Sequence, residues 1–118
     1  MSRRTFRRGD VVWAPDFFKL SMSSELGAPN PRPWLVINTD AHPFRDEEYV
    51  ALSLTTTERE SAVGLDASDW ETGGGPTKSY IAPWNPATLK DGWVGENRQG
   101  RLRENVVREA VEELERYI

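Results

Sequence analysis

The amino-acid sequence predicts a mainly β protein: a small, half-open antiparallel barrel followed by one C-terminal α-helix. Short apolar runs rich in β-branched and aromatic residues alternate with turn-forming residues along most of the chain, as is typical of buried strands. No helix-length segment separates these runs, which excludes a parallel α/β sheet. With 118 residues, the chain is expected to form a single domain over residues 1–118.

The predicted strands are bounded by residues that interrupt an extended run. These strands cover residues 11–13, 34–38, 49–54, 79–82 and, with a weaker pattern, 61–65. Pro15 closes the first strand, and Pro83 is expected to stop the run at 79–82. Gly100 is expected to break the β pattern before the end of the chain.

The sequence also predicts the structure of two connections between strands. Residues 88–90 and 93–94 flank Asp91-Gly92, a dipeptide that favours a tight β-hairpin. Residues 16–33 are polar and rich in turn formers, and a loop of this length in so small a domain is usually functional or disordered.

The hydrophobic period changes to three or four residues from about Glu104, which predicts the terminal helix. The apolar face of this helix consists of Val107, Val111, Leu114 and Ile118. Glu104 with Arg108, and Glu112 with Arg116, are i,i+4 pairs in the favourable order. The helix is therefore expected to pack its apolar face on a small, curved sheet.

Composition limits the class of protein. Hydrophobic residues make up 37% and charged residues 29%, as in ordinary globular proteins. No apolar run approaches the ~18 residues of a membrane span, and no apolar stretch follows the basic N-terminus, so we expect no membrane association and a cytoplasmic location. Cysteine is absent, which excludes disulfides, thiol catalysis and sulfur-ligated zinc. With one histidine and no carboxylate cluster, neither a metal nor another cofactor is expected.

The net charge of −4 argues against a protein that coats nucleic acid through bulk electrostatics. Basic residues cluster at the start of the chain, at Arg3, Arg4, Arg7, Arg8 and Lys19. A nucleic-acid site must therefore be a local groove, which suits a short single strand better than a long duplex. The same cluster is equally explained by a solvated tail.

Several short motifs occur in a fixed order along the chain. They are Arg8-Gly9-Asp10-Val11, Ser24-Glu25-Leu26-Gly27, Arg32-Pro33, Leu54-Thr55-Thr56, Gly75-Pro76-Thr77-Lys78-Ser79-Tyr80-Ile81 and Gly100-Arg101-Leu102. This order and spacing resemble the MazF/PemK family of toxin endoribonucleases. The resemblance implies a small SH3-like half-open antiparallel barrel of the Kid/MazF/CcdB type.

The resemblance also implies a function and partners. Members of the family are toxins of type II toxin–antitoxin systems that cleave single-stranded mRNA sequence-specifically and without a metal. They act as homodimers, with RNA in a groove across the subunit interface, and the cognate antitoxin inserts an acidic segment there. The ribose 2′-hydroxyl is the expected nucleophile, because metal-assisted hydrolysis would need clustered ligands.

Three residues are candidates for catalysis. Arg32 is expected to stabilise the negative charge on the phosphorane, because a guanidinium binds phosphate bidentately. Thr55 is expected to donate a hydrogen bond to the same phosphate, and Glu25 to accept a proton. The alternatives are a structural salt bridge from Arg32 to Asp10 or Asp40, a strand-ending role for Thr55, and a solvated loop carboxylate for Glu25.

The residues expected to contact RNA are Thr56, Trp84, Asn85, Lys90 and Asp91. Trp84 is the candidate for stacking on a base. Asp91 is also explained by the predicted Asp-Gly turn. His42, the single histidine, precedes Pro43 in an expected turn and is interpreted as structural.

One departure from the family pattern leaves alternatives open. Where the family often has Pro-Arg-Thr-Ile-Asp, this chain has Pro86-Ala87-Thr88-Leu89-Lys90-Asp91, so Ala87 replaces the arginine and Asp91 comes one residue late. A non-catalytic protein of the same fold is therefore the alternative, either a gyrase-inhibiting CcdB-like toxin or an RNA-binding relative.

Overall fold

The computed structural model describes residues 5–16, 31–75 and 77–118. These residues form seven strands, two short 3-10 turns and one α-helix. The strands are β1 (Asp10–Pro15), β2 (Pro31–Val36), β3 (Glu48–Thr55), β4 (Val63–Gly64), β5 (Trp70–Gly73), β6 (Tyr80–Lys90) and β7 (Gly100–Leu102). The helix α1 spans Glu104–Glu115, and the 3-10 turns span Ala67–Asp69 and Asp91–Trp93.

All seven strands belong to one antiparallel sheet in the order β4-β6-β3-β2-β1-β7-β5. The sheet curves into a half-barrel with β4 and β5 at its two edges, and α1 follows the last strand of the chain. The predicted fold class is therefore confirmed. No helix in the described ranges is long and apolar enough to span a membrane.

The two faces of the sheet carry separate hydrophobic clusters, because side chains alternate along each strand. On β3, Leu52 and Leu54 belong to the cluster that also contains Val106, Val107 and Ala110 of α1. The other face contains the second cluster, whose buried residues are Phe6, Val12, Ala14, Trp34, Val36, Tyr49, Ala51 and Leu89. The helix thus covers one face of the sheet, as its apolar periodicity predicts, but Ile118, which was expected on that face, follows the end of the helix and is 89% exposed.

The prediction that Pro83 ends a strand is wrong. Strand β6 continues through it to Lys90, but with a wide bulge: Ile81 pairs with Leu54 and Pro86 with Leu52, so residues 82–85 stand opposite Ser53 alone. Proline lacks a donor N–H and is tolerated where a ladder is interrupted in this way.

The predicted hairpin at Asp91-Gly92 is also wrong. Residues 91–93 form a 3-10 turn, and the N–H of Val94 donates to the carbonyl of Asp91. Strand β6 already pairs with β3 up to Lys90, and the N–H of Asp91 donates to the carbonyl of Glu47. These contacts hold the turn against β3, so the chain does not fold back on β6.

Strands β5 and β7 were not predicted, and Gly100, expected to break the pattern, lies within β7. A Cβ atom on Gly100 would lie 2.5 Å from the carbonyl oxygen of Thr72 and 2.8 Å from Cε3 of Trp70. The glycine is therefore needed because β5 and the Trp70 indole approach the β7 backbone closely. The weak strand predicted at 61–65 is observed as the two residues of β4.

The first described residues are fixed to the fold by ion pairs. Gly9 has a φ of +100° and precedes the buried Asp10, whose Oδ1 accepts hydrogen bonds of 2.8 Å from Arg98 and from Arg101. Asp10 Oδ2 accepts another of 2.8 Å from the N–H of Arg7. This carboxylate therefore connects β1 to Arg101 of β7 and to Arg98 in the loop that precedes β7.

Arg8 makes a second connection, from the beginning of the chain to α1. Its Nε and Nη2 each donate 3.0 Å hydrogen bonds to the Glu104 carboxylate, and its Nη1 donates to the carbonyl of Ile37 at 2.6 Å. Hydrogen bonding from Arg8 lowers the pKa of Glu104 below its usual value of 4.5. Arg8 is thus a structural residue and not part of a solvated tail.

Candidate functional site

Arg32 and Thr55 lie on neighbouring antiparallel strands. Trp34 of β2 pairs with Ser53 of β3, and the same register continued by two residues places Arg32 opposite Thr55. Both residues line one concave groove of about 260 Å³. The other residues that line it are Pro31, Pro33, Leu54, Thr56, Thr57 and Ser79. The structure therefore brings together the two residues that the sequence placed at strand ends.

Arg32 and Thr55 also share a face of the sheet. Alternation along β2 and β3 puts Arg32, Ser53 and Thr55 on the face of Trp34, which α1 does not cover. Asn85 belongs to the same face, because its Nδ2 donates a 2.8 Å hydrogen bond to Ser53 Oγ.

Two of the predicted RNA contacts lie on the β6 bulge, but neither of them lines the groove. Trp84 and Asn85 both lie among the residues opposite Ser53, two positions before Thr55 on β3. Trp84 is 39% exposed despite its size. An exposed tryptophan on a sheet interruption is accessible for stacking on a planar ligand.

The Arg32 guanidinium is half-buried and incompletely paired. Its Nη1 lies 3.4 Å from Oδ2 of the buried Asp16, and the side chain is 27% exposed. Its Nε is buried without a hydrogen-bond partner in the described part of the chain. Arg32 therefore forms an ion pair, as the structural alternative expects, but its partner is Asp16. Asp10, one of the two partners expected for Arg32, is paired with Arg98 and Arg101.

The Thr55 hydroxyl is oriented by its own turn. Its Oγ1 accepts a 3.1 Å hydrogen bond from the N–H of Thr57. Because that bond uses a lone pair, the Thr55 O–H remains able to donate into the groove. Thr56 is exposed in the same turn.

Glu25 lies outside the described residues. The segment that contains it joins Asp16 to Pro31, and Asp16 contacts Arg32 directly. Pro31, the first described residue after Glu25, lines the groove.

Lys90 and Asp91 lie at the other end of β3. Lys90 pairs with Glu48, seven residues from Thr55, or roughly 23 Å at about 3.3 Å per residue. The Lys90 Nζ lies 2.6 Å from a Glu48 carboxylate oxygen, and this hydrogen bond lowers the pKa of Glu48. Asp91 accepts a 2.6 Å hydrogen bond from the hydroxyl of Tyr49. The groove does not include Lys90 or Asp91.

The remaining candidate positions have structural contacts. His42 accepts a hydrogen bond of 3.0 Å from the N–H of Phe44 within a turn. Ala87 pairs with Ala51 and packs partly buried against the second cluster. Within residues 5–16, 31–75 and 77–118, no group of three or more His, Cys, Asp or Glu side chains is arranged to hold a metal ion.

This region also contains residues that were not predicted from the sequence, namely Asp16, Ser53 and Ser79. Ser53 alternates with Thr55, so its position on the same face was available from the strand pattern. Asp16 and Ser79 come from distant parts of the chain, and no local pattern connects them to Arg32.

Solved structures share this architecture. An endoribonuclease from a mycobacterial species, in complex with its cognate antitoxin, is 23% identical over 95% of this chain and 91% of its own, with a TM-score of 0.65. The Mycobacterium tuberculosis toxin MazF-mt6 is 17% identical, with 91% and 93% coverage and a TM-score of 0.65. MazF from Deinococcus radiodurans is 14% identical, with 98% and 97% coverage and a TM-score of 0.70.

These similarities establish the fold: the chain has the half-barrel of the MazF toxins over nearly its whole described length. No protein-family model matches the sequence, and no curated protein sequence matches it significantly.

Proposed function

We propose that this protein is the toxin of a type II toxin–antitoxin system and a sequence-specific endoribonuclease that cleaves single-stranded mRNA without a metal. The observation that carries this proposal is the juxtaposition of the Arg32 guanidinium and the Thr55 hydroxyl in one open groove. A cation beside a hydroxyl donor suits a phosphodiester. The fold shared with MazF endoribonucleases supports the same conclusion.

The chemistry proceeds by internal attack. The ribose 2′-hydroxyl oxygen attacks the adjacent phosphorus while its proton passes to a base, for which Glu25 is the candidate. Arg32 and Thr55 stabilise the charge on the phosphorane. The bond from phosphorus to the 5′-oxygen then breaks, and that oxygen takes up a proton. The products carry a 2′,3′-cyclic phosphate and a 5′-hydroxyl.

Three neighbours provide the RNA contacts outside the scissile step. Thr56 and Asn85 offer hydrogen bonds beside Thr55, and Trp84 offers an aromatic surface for a base. Lys90 and Asp91 are left out of this proposal, because both have protein partners at the far end of β3.

The proposed partners are a second copy of the chain and an acidic antitoxin in the cytoplasm. The mycobacterial endoribonuclease of the same fold was solved with its cognate antitoxin. An acidic segment and an RNA strand are attracted to the same arginine-containing groove for one electrostatic reason. Light scattering at micromolar concentration is expected to give the mass of a dimer.

A non-catalytic function is the second candidate, and the observation that favours it is Ala87. This residue occupies the position of an arginine in many family members and is packed against the core. In that case the protein either binds RNA without cutting it or inhibits gyrase.

Cleavage of a single-stranded RNA in excess EDTA tests the proposal, with analysis of the product ends. Cyclic-phosphate and 5′-hydroxyl ends are expected. A strict magnesium requirement or 5′-phosphate ends contradict the mechanism. RNA binding without cleavage, or inhibition in a parallel gyrase supercoiling assay, identifies the second candidate.

A further inference from the structure

A second concavity lies where the half-barrel fails to close. The sheet order leaves β4 and β5 at opposite edges, and the chain passes between them through the 3-10 turn Ala67–Asp69. The concavity has a volume of about 520 Å³. We name it the seam pocket, and the lining residues that matter here are Asp66, Trp70, Gly74, Lys78 and Ser79.

The shape of the seam pocket depends on a glycine beside an indole. A Cβ atom on Gly74 would lie 3.2 Å from Cγ and Cδ2 of Trp70, and the φ of Gly74 is +112°. The bare backbone therefore lies against the half-buried ring, and the ring contributes an apolar wall. The volume falls in the range of about 300–1,000 Å³ found for small-molecule sites.

The cation of the pocket is loosely held. Lys78 Nζ lies 3.7 Å from Asp66 Oδ1, and both side chains are more than half exposed. The same Nζ lies 5.8 Å from the centroid of the Tyr80 ring. An exposed pair of this kind contributes little to stability, so a phosphate oxygen can replace the carboxylate at little cost.

The seam pocket and the Arg32–Thr55 groove share a border. Ser79 lines both concavities. The next residue, Tyr80, pairs with Thr55 in the ladder between β3 and β6. A strand that is bound at Thr55 and extends past Ser79 would reach the seam pocket beside Lys78.

We infer that the seam pocket binds a nucleotide of the same RNA strand, outside the scissile step. Lys78 contacts a non-scissile phosphate, and Trp70 provides an apolar wall for the attached sugar or base. This inference rests on the function proposed above. In this inference, Lys78 increases the affinity for longer RNA substrates and takes no part in catalysis.

The test compares two RNAs, each with a 2′-deoxyribose at the cleavage position to prevent reaction. One spans little more than the scissile step, and the other extends several nucleotides to both sides. Lys78→Ala is expected to weaken binding of the longer RNA about tenfold and to reduce its salt slope by about 0.7. Binding of the short RNA is expected to stay unchanged.

Two further variants make the comparison specific. Arg108→Ala, on the exposed surface of α1, removes the same charge and is expected to leave both affinities unchanged. Asp66→Asn is expected to strengthen binding of the longer RNA roughly two- to threefold, because it removes the carboxylate that competes for Lys78.

The outcomes separate the two proposals. If the wild-type protein cleaves RNA but Lys78→Ala binds the longer RNA as Arg108→Ala does, the seam-pocket inference fails and the proposed function stands. Equal weakening of both RNAs by Lys78→Ala also overturns the inference, because it places Lys78 at the scissile step. If the wild-type protein binds neither RNA, the proposed function fails and the inference with it.

Discussion

Asp10 on β1 and Arg32 on β2 each form ion pairs, but the two sites differ in how completely their charged groups are hydrogen-bonded. At Asp10, both carboxylate oxygens accept 2.8 Å hydrogen bonds, and the side chain is 5% exposed. At Arg32, the contact with Asp16 is 3.4 Å long, and the guanidinium Nε has no partner in the described residues. Saturated pairing indicates a structural role, whereas incomplete pairing beside an open groove leaves a cation available to a ligand.

The largest expected effect is loss of RNA cleavage in Arg32→Ala. A single donor to the phosphorane is worth roughly 100- to 1,000-fold in rate. The melting temperature is expected to fall less than on loss of the Asp10 network, because Arg32 makes one 3.4 Å contact with Asp16, whereas Asp10 accepts hydrogen bonds from Arg7, Arg98 and Arg101. Single-turnover cleavage and thermal unfolding measure the two effects. Arg32→Lys controls for charge and is expected to recover little, since it loses the bidentate geometry.

An Arg32→Ala protein that is unfolded would make Arg32 equivalent to Asp10, a structural residue. A folded variant with wild-type cleavage would place the active site elsewhere. Either result removes the contrast between the two sites.

Asp10→Asn is expected to lower the free energy of unfolding by about 3 kcal/mol, the low end for a broken buried pair, because Arg98 and Arg101 retain partial solvent contact. Urea unfolding measures this change, and the exposed Asp40→Asn is the matched control. A stability equal to that of the control would show that the Asp10 network contributes nothing to the fold.

Thr55→Val keeps the shape of the side chain and removes its hydroxyl. Cleavage is expected to slow about tenfold to 100-fold, less than for Arg32, because a neutral donor is weaker than a charged one. Thr55→Ser is expected to retain most of the rate. Unchanged kinetics in Thr55→Val would mean that the hydroxyl serves only the turn with Thr57.

The smallest expected effect concerns pH and the Arg8–Glu104 pair. Hydrogen bonding from Arg8 holds the pKa of Glu104 below 4.5, so its stabilisation is present above that pH and is lost as the pH falls through the folded-state pKa. Glu104→Gln is therefore expected to be about 0.5–1 kcal/mol less stable at pH 7 and equal to wild type in strong acid. Glu109→Gln, on the same helix, is the control. A pH-independent difference would exclude ionisation of Glu104 as the cause.

The parts of the fold predicted from sequence are those with a strong local pattern. The central strands are continuous apolar runs, and the helix has a clear period of three or four. β5 and β7 carry no such pattern, because their strand character comes from each other and from the Trp70 indole packed against Gly100. A local sequence pattern does not identify a pairing strand as far away in the chain as Leu102 is from Trp70.

The residues of the candidate site also differ in how well the sequence predicted their positions. Arg32 and Thr55 were paired from sequence because each ends or begins a predicted strand. Lys90 and Asp91 were grouped with them because residues 86–91 were compared with the family's Pro-Arg-Thr-Ile-Asp segment. The 11 residues of β6 carry this segment to the far end of β3.

The pairing of β1 with β7 has a consequence for synthesis of the protein. Asp10 pairs with Arg101 across 91 positions, and Arg98 follows 88 residues after it. A nascent chain that ends before Arg98 leaves the β7-side edge of β1 open and the Asp10 carboxylate without its two guanidinium partners. Contacts so distant in sequence form late and slowly. Assembly of the complete sheet, and with it the edge that borders the seam pocket, must therefore wait until translation has passed Leu102.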